Sequence, residues 1–387
     1  MDRLVLTVTL SCFLVSVPHQ IRQSTSEESL RSVLAAHALP LQGPGQALLL
    51  TESRQHDFFL LGELHGENEI PALLRDLWPQ LWQAGYRHVA AEISPWAAEH
   101  LERISGHDTA LTKSLWNRDQ AATVRQFAAP NQRVIWGCDM EEGQPERLIV
   151  DMSSLNPEDA NLRQMVGITS GDYKRSQAPE LRRLAEAVHP AHDATPGGVS
   201  LWQSLRDTLR IETLRSDSST KLATSEAREL LMKRLYLAHH EKAPEGKVLL
   251  RFGRNHLHRG YDARGVSTLG NFVAEWALSQ NKSVFNVGAF AAGGKEQFAG
   301  KTFDADERQD ELTFALLAEL AGTNATLFDL RPLRPMLHSI KTAKRTPLEA
   351  NLLYWADSYD FLLCYPIVTP LSEDSGTTPY RQNIESH

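Results

Sequence analysis

Two apolar runs far apart in the chain end in the same pattern, Gly-x-x-His, and this repetition constrains the fold more than any other feature. Phe58-Phe59-Leu60-Leu61 leads into Gly62-Glu63-Leu64-His65, and Val248-Leu249-Leu250-Arg251-Phe252 leads into Gly253-Arg254-Asn255-His256. A short apolar run closed by glycine reads as a buried β-strand. Each motif therefore puts an imidazole where a strand opens into a loop. In open α/β sheets that edge, at the carboxyl ends of the strands, is where ligands bind. Two histidines brought there from distant parts of one chain predict a single built site.

The segments between the motifs fit such a sheet. A helix is expected over Ser26–Ala36, and a longer one over Glu69–Ala84 with Ile70, Leu73, Leu74, Leu77 and Leu81 on one face. Pro79 is expected to kink or split it. His88–Ile93 and Val134–Cys138 read as further strands. Residues 156–240 are polar with helical periodicity and read as a helical insertion. Strand-like runs return at Lys247–Phe252, Ser283–Val287, Ala325–Leu330 and Phe361–Val368. The expected fold class is α/β: a central, mostly parallel sheet flanked by helices, in one domain spanning 26–371 with the insertion inside it.

Composition narrows the function. With 40 basic against 48 acidic residues among 387, and no Lys/Arg cluster, nucleic acid is not an expected partner. The run Leu4–Val17 behind Arg3 suits a signal peptide over residues 1–22 and is too short to span a bilayer. The expected location is secreted or periplasmic, with no transmembrane segment and a small molecule or peptide as partner. The tail 372–387 is polar and expected to be disordered. Cys138 and Cys364 lie in apolar runs and read as buried thiols. His239-His240 reads as a solvated helix end.

The strand ends carry the chemistry. Glu63 stands two residues before His65, so both side chains point the same way from an extended backbone. Glu92 closes the second strand and Asp139 the third. An acidic residue ending an apolar strand must be paired or open to a cleft. Glu63, His65, Glu92, Asp139 and His256 are thus expected at one edge. His258 follows His256 on the same side of an extended chain, as a second ligand or a loop residue. Arg228 reads either as an exposed helix residue or as a group that binds an anion or a carboxylate. Gly265–Gly270 misses the Gly-x-Ser-x-Gly spacing, Gly294–Lys301 misses the P-loop spacing, and His-Glu-x-x-His does not occur.

On Leu61–Gly66, Val89–Glu92, Trp136–Met140, Ala227-Arg228-Glu229, Gly253–His258 and Asp360–Leu363, the chain resembles the superfamily that joins erythromycin esterase-like hydrolases, ChaN-type haem-binding lipoproteins and Tiki/TraB-type proteins. The likeness runs from Phe58 to about Pro370. In the esterases two residues separate Glu and His of the first motif, whereas here Leu64 alone intervenes.

What the resemblance implies differs by branch. The esterase branch implies His65 as general base, Glu92 orienting or polarising, and His256 as acid or oxyanion stabiliser; Glu63 completes the catalytic candidates, and Arg228, Asp139 and His258 are the candidate substrate-binding residues. The Tiki branch implies a divalent transition metal held by His65, His256, Glu63 and Glu92. The ChaN branch implies a haem- or metal-binding uptake protein without catalysis. The leading expectation is an exported hydrolase acting on an ester, lactone or amide.

Overall fold

The computed structural model describes residues 19–102, 116–142, 144–171, 173–188, 196–298, 301–309 and 311–371. The tail 372–387 and nearly all of the expected leader lie outside them. Among the described residues nine strands form one sheet: β1 (Ala38–Pro40), β2 (Phe58–Glu63), β3 (Tyr86–Ala91), β4 (Ile135–Gly137), β5 (Lys247–Gly253), β6 (Val284–Phe298), β7 (Lys301–Asp306), β8 (Thr326–Asp329) and β9 (Phe361–Tyr365). Their spatial order is β1-β8-β9-β6-β2-β5-β3-β4, with β7 paired to β6. The six strands from β9 to β4 run parallel. Beyond β9 the sheet turns antiparallel, β8 against β9 and β1 against β8, so it is mostly parallel as expected.

Alternation along the strands builds two apolar layers. On β2, Phe59 and Leu61 join Val89, Leu249, Phe285 and Val287 in one cluster, while Phe58 and Leu60 join Ala90, Val248, Leu250 and Phe252 in the other. Each of these side chains is at most 1% exposed. Burying one such Phe or Leu contributes on the order of 1.5–3 kcal/mol. Helices cover both faces, and no described helix is long and apolar enough to cross a membrane.

Between β4 and β5 the chain is mostly helical from Pro145 to Lys242, an earlier start than the expected residue 156. Leu162, Met165, Leu181, Leu205 and Leu209 from this stretch share the Phe59 cluster. Its last helix, Lys221–Lys242, packs on the opposite face through Met232 and Tyr236. The first helix starts at His19, ahead of the expected Ser26. Pro79 lies inside Glu69–Gln83 without ending that helix.

His239-His240 is not a solvated end. The His239 ring stacks on Trp136 at 5.6 Å and contacts the Gly137 carbonyl oxygen at 3.1 Å, and His240 is 8% exposed against Trp276. Indole faces at that end of the sheet give the imidazoles an apolar seat, which the neighbouring Glu241 and Lys242 do not reveal.

Candidate active site

The two Gly-x-x-His strands are neighbours. β5 lies between β2 and β3, and Gly62 pairs with Phe252 while Glu63 pairs with Gly253. The motifs therefore end side by side at the carboxyl edge, where β3 also ends just before Glu92.

Glu92 is the hub. His65 Nε2 lies 3.7 Å from Glu92 Oε2, and His256 Nε2 lies 3.4 Å from Glu92 Oε1. The Gly253 amide donates to Oε2 at 2.6 Å and Arg228 Nη2 donates to Oε1 at 2.8 Å. A carboxylate buried to 4% exposure would otherwise be expelled as the neutral acid. Burial does push Glu92 up, but His256, His65 and Arg228 together hold it well below the usual carboxylate range.

His65 sits between two acids, with Nδ1 3.6 Å from Glu63 Oε1. Contacts of 3.6 and 3.7 Å are too long for hydrogen bonds. Burial lowers the His65 pKa, yet Glu92 and Glu63 outweigh it and the net shift is upward. Glu63 is itself held by the Arg251 guanidinium, which also donates to Gln120 Oε1 at 2.6 Å and lies over the Trp116 ring.

His256 is wired differently. Its Nδ1 is 2.5 Å from Glu229 Oε1, and the other oxygen of Glu229 accepts from the Leu269 amide at 2.7 Å. Although burial opposes it, Glu92 and Glu229 push His256 up to about 10, so at neutral pH it is an imidazolium locked between two carboxylates.

Exposure separates the roles. The His65 side chain is 30% exposed, against 1% for Glu63, 4% for Glu92, 7% for His256 and 12% for Arg228. His65 is thus the open member of a sealed cluster.

The structure brings His65, Glu63, Glu92, His256 and Asp139 together, as the strand ends predict, and adds Arg228 from the helix Lys221–Lys242. Arg228 Nε donates to both oxygens of Asp139 at 3.1 Å, and its Nη2 also reaches Glu142 at 2.9 Å. Arg228 and Asp139 therefore face each other, because a buried carboxylate needs a cation more than a ligand does. His258 does not join the cluster. It is 1% exposed, bonded to Ser358 Oγ at 3.1 Å among Tyr354, Trp355 and Tyr359, and burial pushes it down to about 4. Glu142, Glu229 and Arg251 belong to the network without having been expected there.

A divalent ion does not fit these residues. Among the described residues, the carboxylates that converge within 4.8 Å are Glu92, Asp139 and Glu142, and Arg228 already bridges all three. His256 Nδ1 is committed to Glu229, and Glu63 to Arg251. Of the expected set, Glu63 and Glu92 are thus held by Arg251 and Arg228, and one nitrogen of His256 by Glu229.

Gly253 explains why the second motif needs glycine. Its φ of −51° suits any residue, but a Cβ there would stand 2.6 Å from His65 Nε2 and 3.2 Å from Glu92 Oε2. Gly253→Ala should fold normally and lose about a hundredfold in turnover, the scale for a catalytic group displaced by roughly an ångström. Parallel measurements of kcat and unfolding midpoint check this. Unchanged turnover would mean that the ring's position is not critical.

Neither a protein-family model nor a curated protein matches the chain. Solved structures do. A Bacillus cereus protein aligns at TM-score 0.57 and 13% identity, over 90% of this chain and 99% of that one. A succinoglycan biosynthesis protein gives 0.57 and 14%, with the same coverage. A mutant of the erythromycin esterase EreC in its open conformation gives 0.57 and 14%, over 85% of this chain and 94% of that one. The fold is erythromycin esterase-like. A haem-binding ChaN of Campylobacter jejuni aligns at TM-score 0.27, too low to bear on haem. In this chain the carboxyl edge of β2, β5 and β3 is where the two imidazoles and Glu92 meet.

Proposed function

We propose that this chain is a hydrolase in which His65 activates water against an ester, lactone or amide carbonyl. The supporting observation is the solvent-open imidazole held between two buried carboxylates. In the reaction His65 takes a proton from water as the oxygen attacks the carbonyl carbon and the carbonyl π pair moves to its oxygen. When that pair returns, the bond to the alcohol or amine breaks and the His65 imidazolium gives the proton to the departing group. The new imidazolium forms between Glu63 and Glu92, whose charges are fixed in place beforehand, so little reorganisation is needed. His256 stays protonated behind Glu92 and keeps it anionic. Arg251 pairs with Glu63 and fixes its position.

A pH profile tests the reading. A general base works when neutral, so activity must rise with pH through the pKa of His65. Because Glu92 and Glu63 shift that pKa upward from 6.5, the midpoint of kcat/KM on a neutral ester should lie above 6.5. A profile that is flat, or that falls as pH rises from 5 to 9, would remove His65 from this role.

A further inference from the structure

The arginines that support the cluster are already committed. Arg228 is held by Glu92, Asp139 and Glu142, and Arg251 by Glu63 and Gln120. Arg254 donates to the Ala289 carbonyl at 2.5 Å and pairs with Glu307 at 2.6 Å. An anionic substrate would meet none of these guanidiniums uncommitted.

The acid side has a spare group. Glu296 makes no hydrogen bond or ion pair among the described residues. It lies where β6 has run past its last pairs with β2 and β9 and turns back as β7. This arm is fixed beside the base: the Gln297 amide donates to the Gly66 carbonyl at 2.8 Å, one residue from His65, and the Lys295 amide donates to Val368 at 2.9 Å. The mount requires glycine, since Gly66 has φ +78° and a Cβ there would fall 1.8 Å from the Gln297 oxygen.

Register sorts the two faces of the arm. Lys295 pairs with Asp304 and Gln297 with Thr302 on one face, and the 2.6 Å Lys295–Asp304 ion pair satisfies it. Glu296 pairs with Phe303 and Phe298 with Lys301 on the other face. There Phe298 and Phe303 are 44% and 46% exposed. Burial and then Glu307 raise the Glu296 pKa, while the charge of His65 lowers it. Lys301 stands at the outer end of this face, leaving Glu296 as its inner charge.

We infer that the β6–β7 arm selects substrate: Glu296 receives an ammonium-type group, and Phe298 and Phe303 receive the apolar chain attached to it. The favoured substrates are then esters or amides of cationic amphiphiles. The inference rests on the hydrolase reading for its substrate, but binding alone tests it. An ammonium over a phenyl face and beside a carboxylate gains on both counts.

Isothermal titration at pH 8 and low salt, with hexyltrimethylammonium, hexanol and hexyl sulfate, reads the preference directly. The ammonium should bind about tenfold more tightly than the alcohol, and the sulfate least. Glu296→Gln should erase the gap between ammonium and alcohol, and Glu296→Lys should turn the preference toward the sulfate. Equal binding of ammonium and alcohol, no binding of any probe, or a gap that survives Glu296→Gln would overturn the inference. Since no turnover is read, a failure of ester hydrolysis would sink the hydrolase reading and leave this result standing.

Discussion

His65→Ala is expected to lower turnover of any ester this site accepts by about a thousandfold, the usual worth of a positioned general base. It should do so with little change in the unfolding midpoint. The reason lies in how the ring is held. Neither nitrogen makes a hydrogen bond: Nδ1 is buried without a partner and Nε2 is 3.7 Å from Glu92. Truncation therefore orphans no donor or acceptor, and the 30% exposed ring contributes little packing. The same change at His256 should behave differently, because it would leave Glu92 and Glu229 buried without the cation between them. His256→Ala should lose stability and turnover together. If His65→Ala keeps its activity, or loses it only by unfolding, the separation between an open base and a buried support is wrong.

The sequence made most of this edge legible because strand ends are local signals. An apolar run closed by glycine fixes where a side chain leaves the sheet, so His65, Glu92, Asp139 and His256 could be placed without knowing the strand order. That β5 would insert between β2 and β3 was not readable, since only long-range pairing sets it. The supporting shell was less visible. Glu229 sits next to Arg228 on a helix, and nothing in helical periodicity marks one acid among many as the partner of a distant imidazole. Arg251 was hidden by its own strand, where a charge in an apolar run gave no hint of Glu63 opposite. For Arg228 the carboxylate reading is the one the geometry matches, since it pairs with Asp139, Glu92 and Glu142; a sequence shows which charges gather and not which of them neutralise one another. For His258 the structure takes the loop reading over the ligand one. The chain turns through a short 3-10 segment at Arg254–His256 and sends that ring into an aromatic cage.

Arg228→Met carries the largest expected effect on stability. Arg228 is the shared cation of Glu92, Asp139 and Glu142, and the first two are at most 4% exposed. Removing one partner from a buried ion network costs about 3–5 kcal/mol, because the remaining charges keep their desolvation penalty and lose its compensation. The sign of the pH dependence follows. Burial already raises Asp139, while Arg228 pulls it down. Without the guanidinium, Asp139 and its neighbours should bind protons at higher pH in the folded state than in the unfolded one. A group whose folded pKa is raised stabilises the fold at low pH and loses that contribution as pH rises. The deficit of the variant should therefore be largest at pH 8 and shrink toward pH 5. Urea unfolding of both proteins at several pH values measures it. A deficit independent of pH would mean that Arg228 acts through packing and not as the counter-ion of these carboxylates.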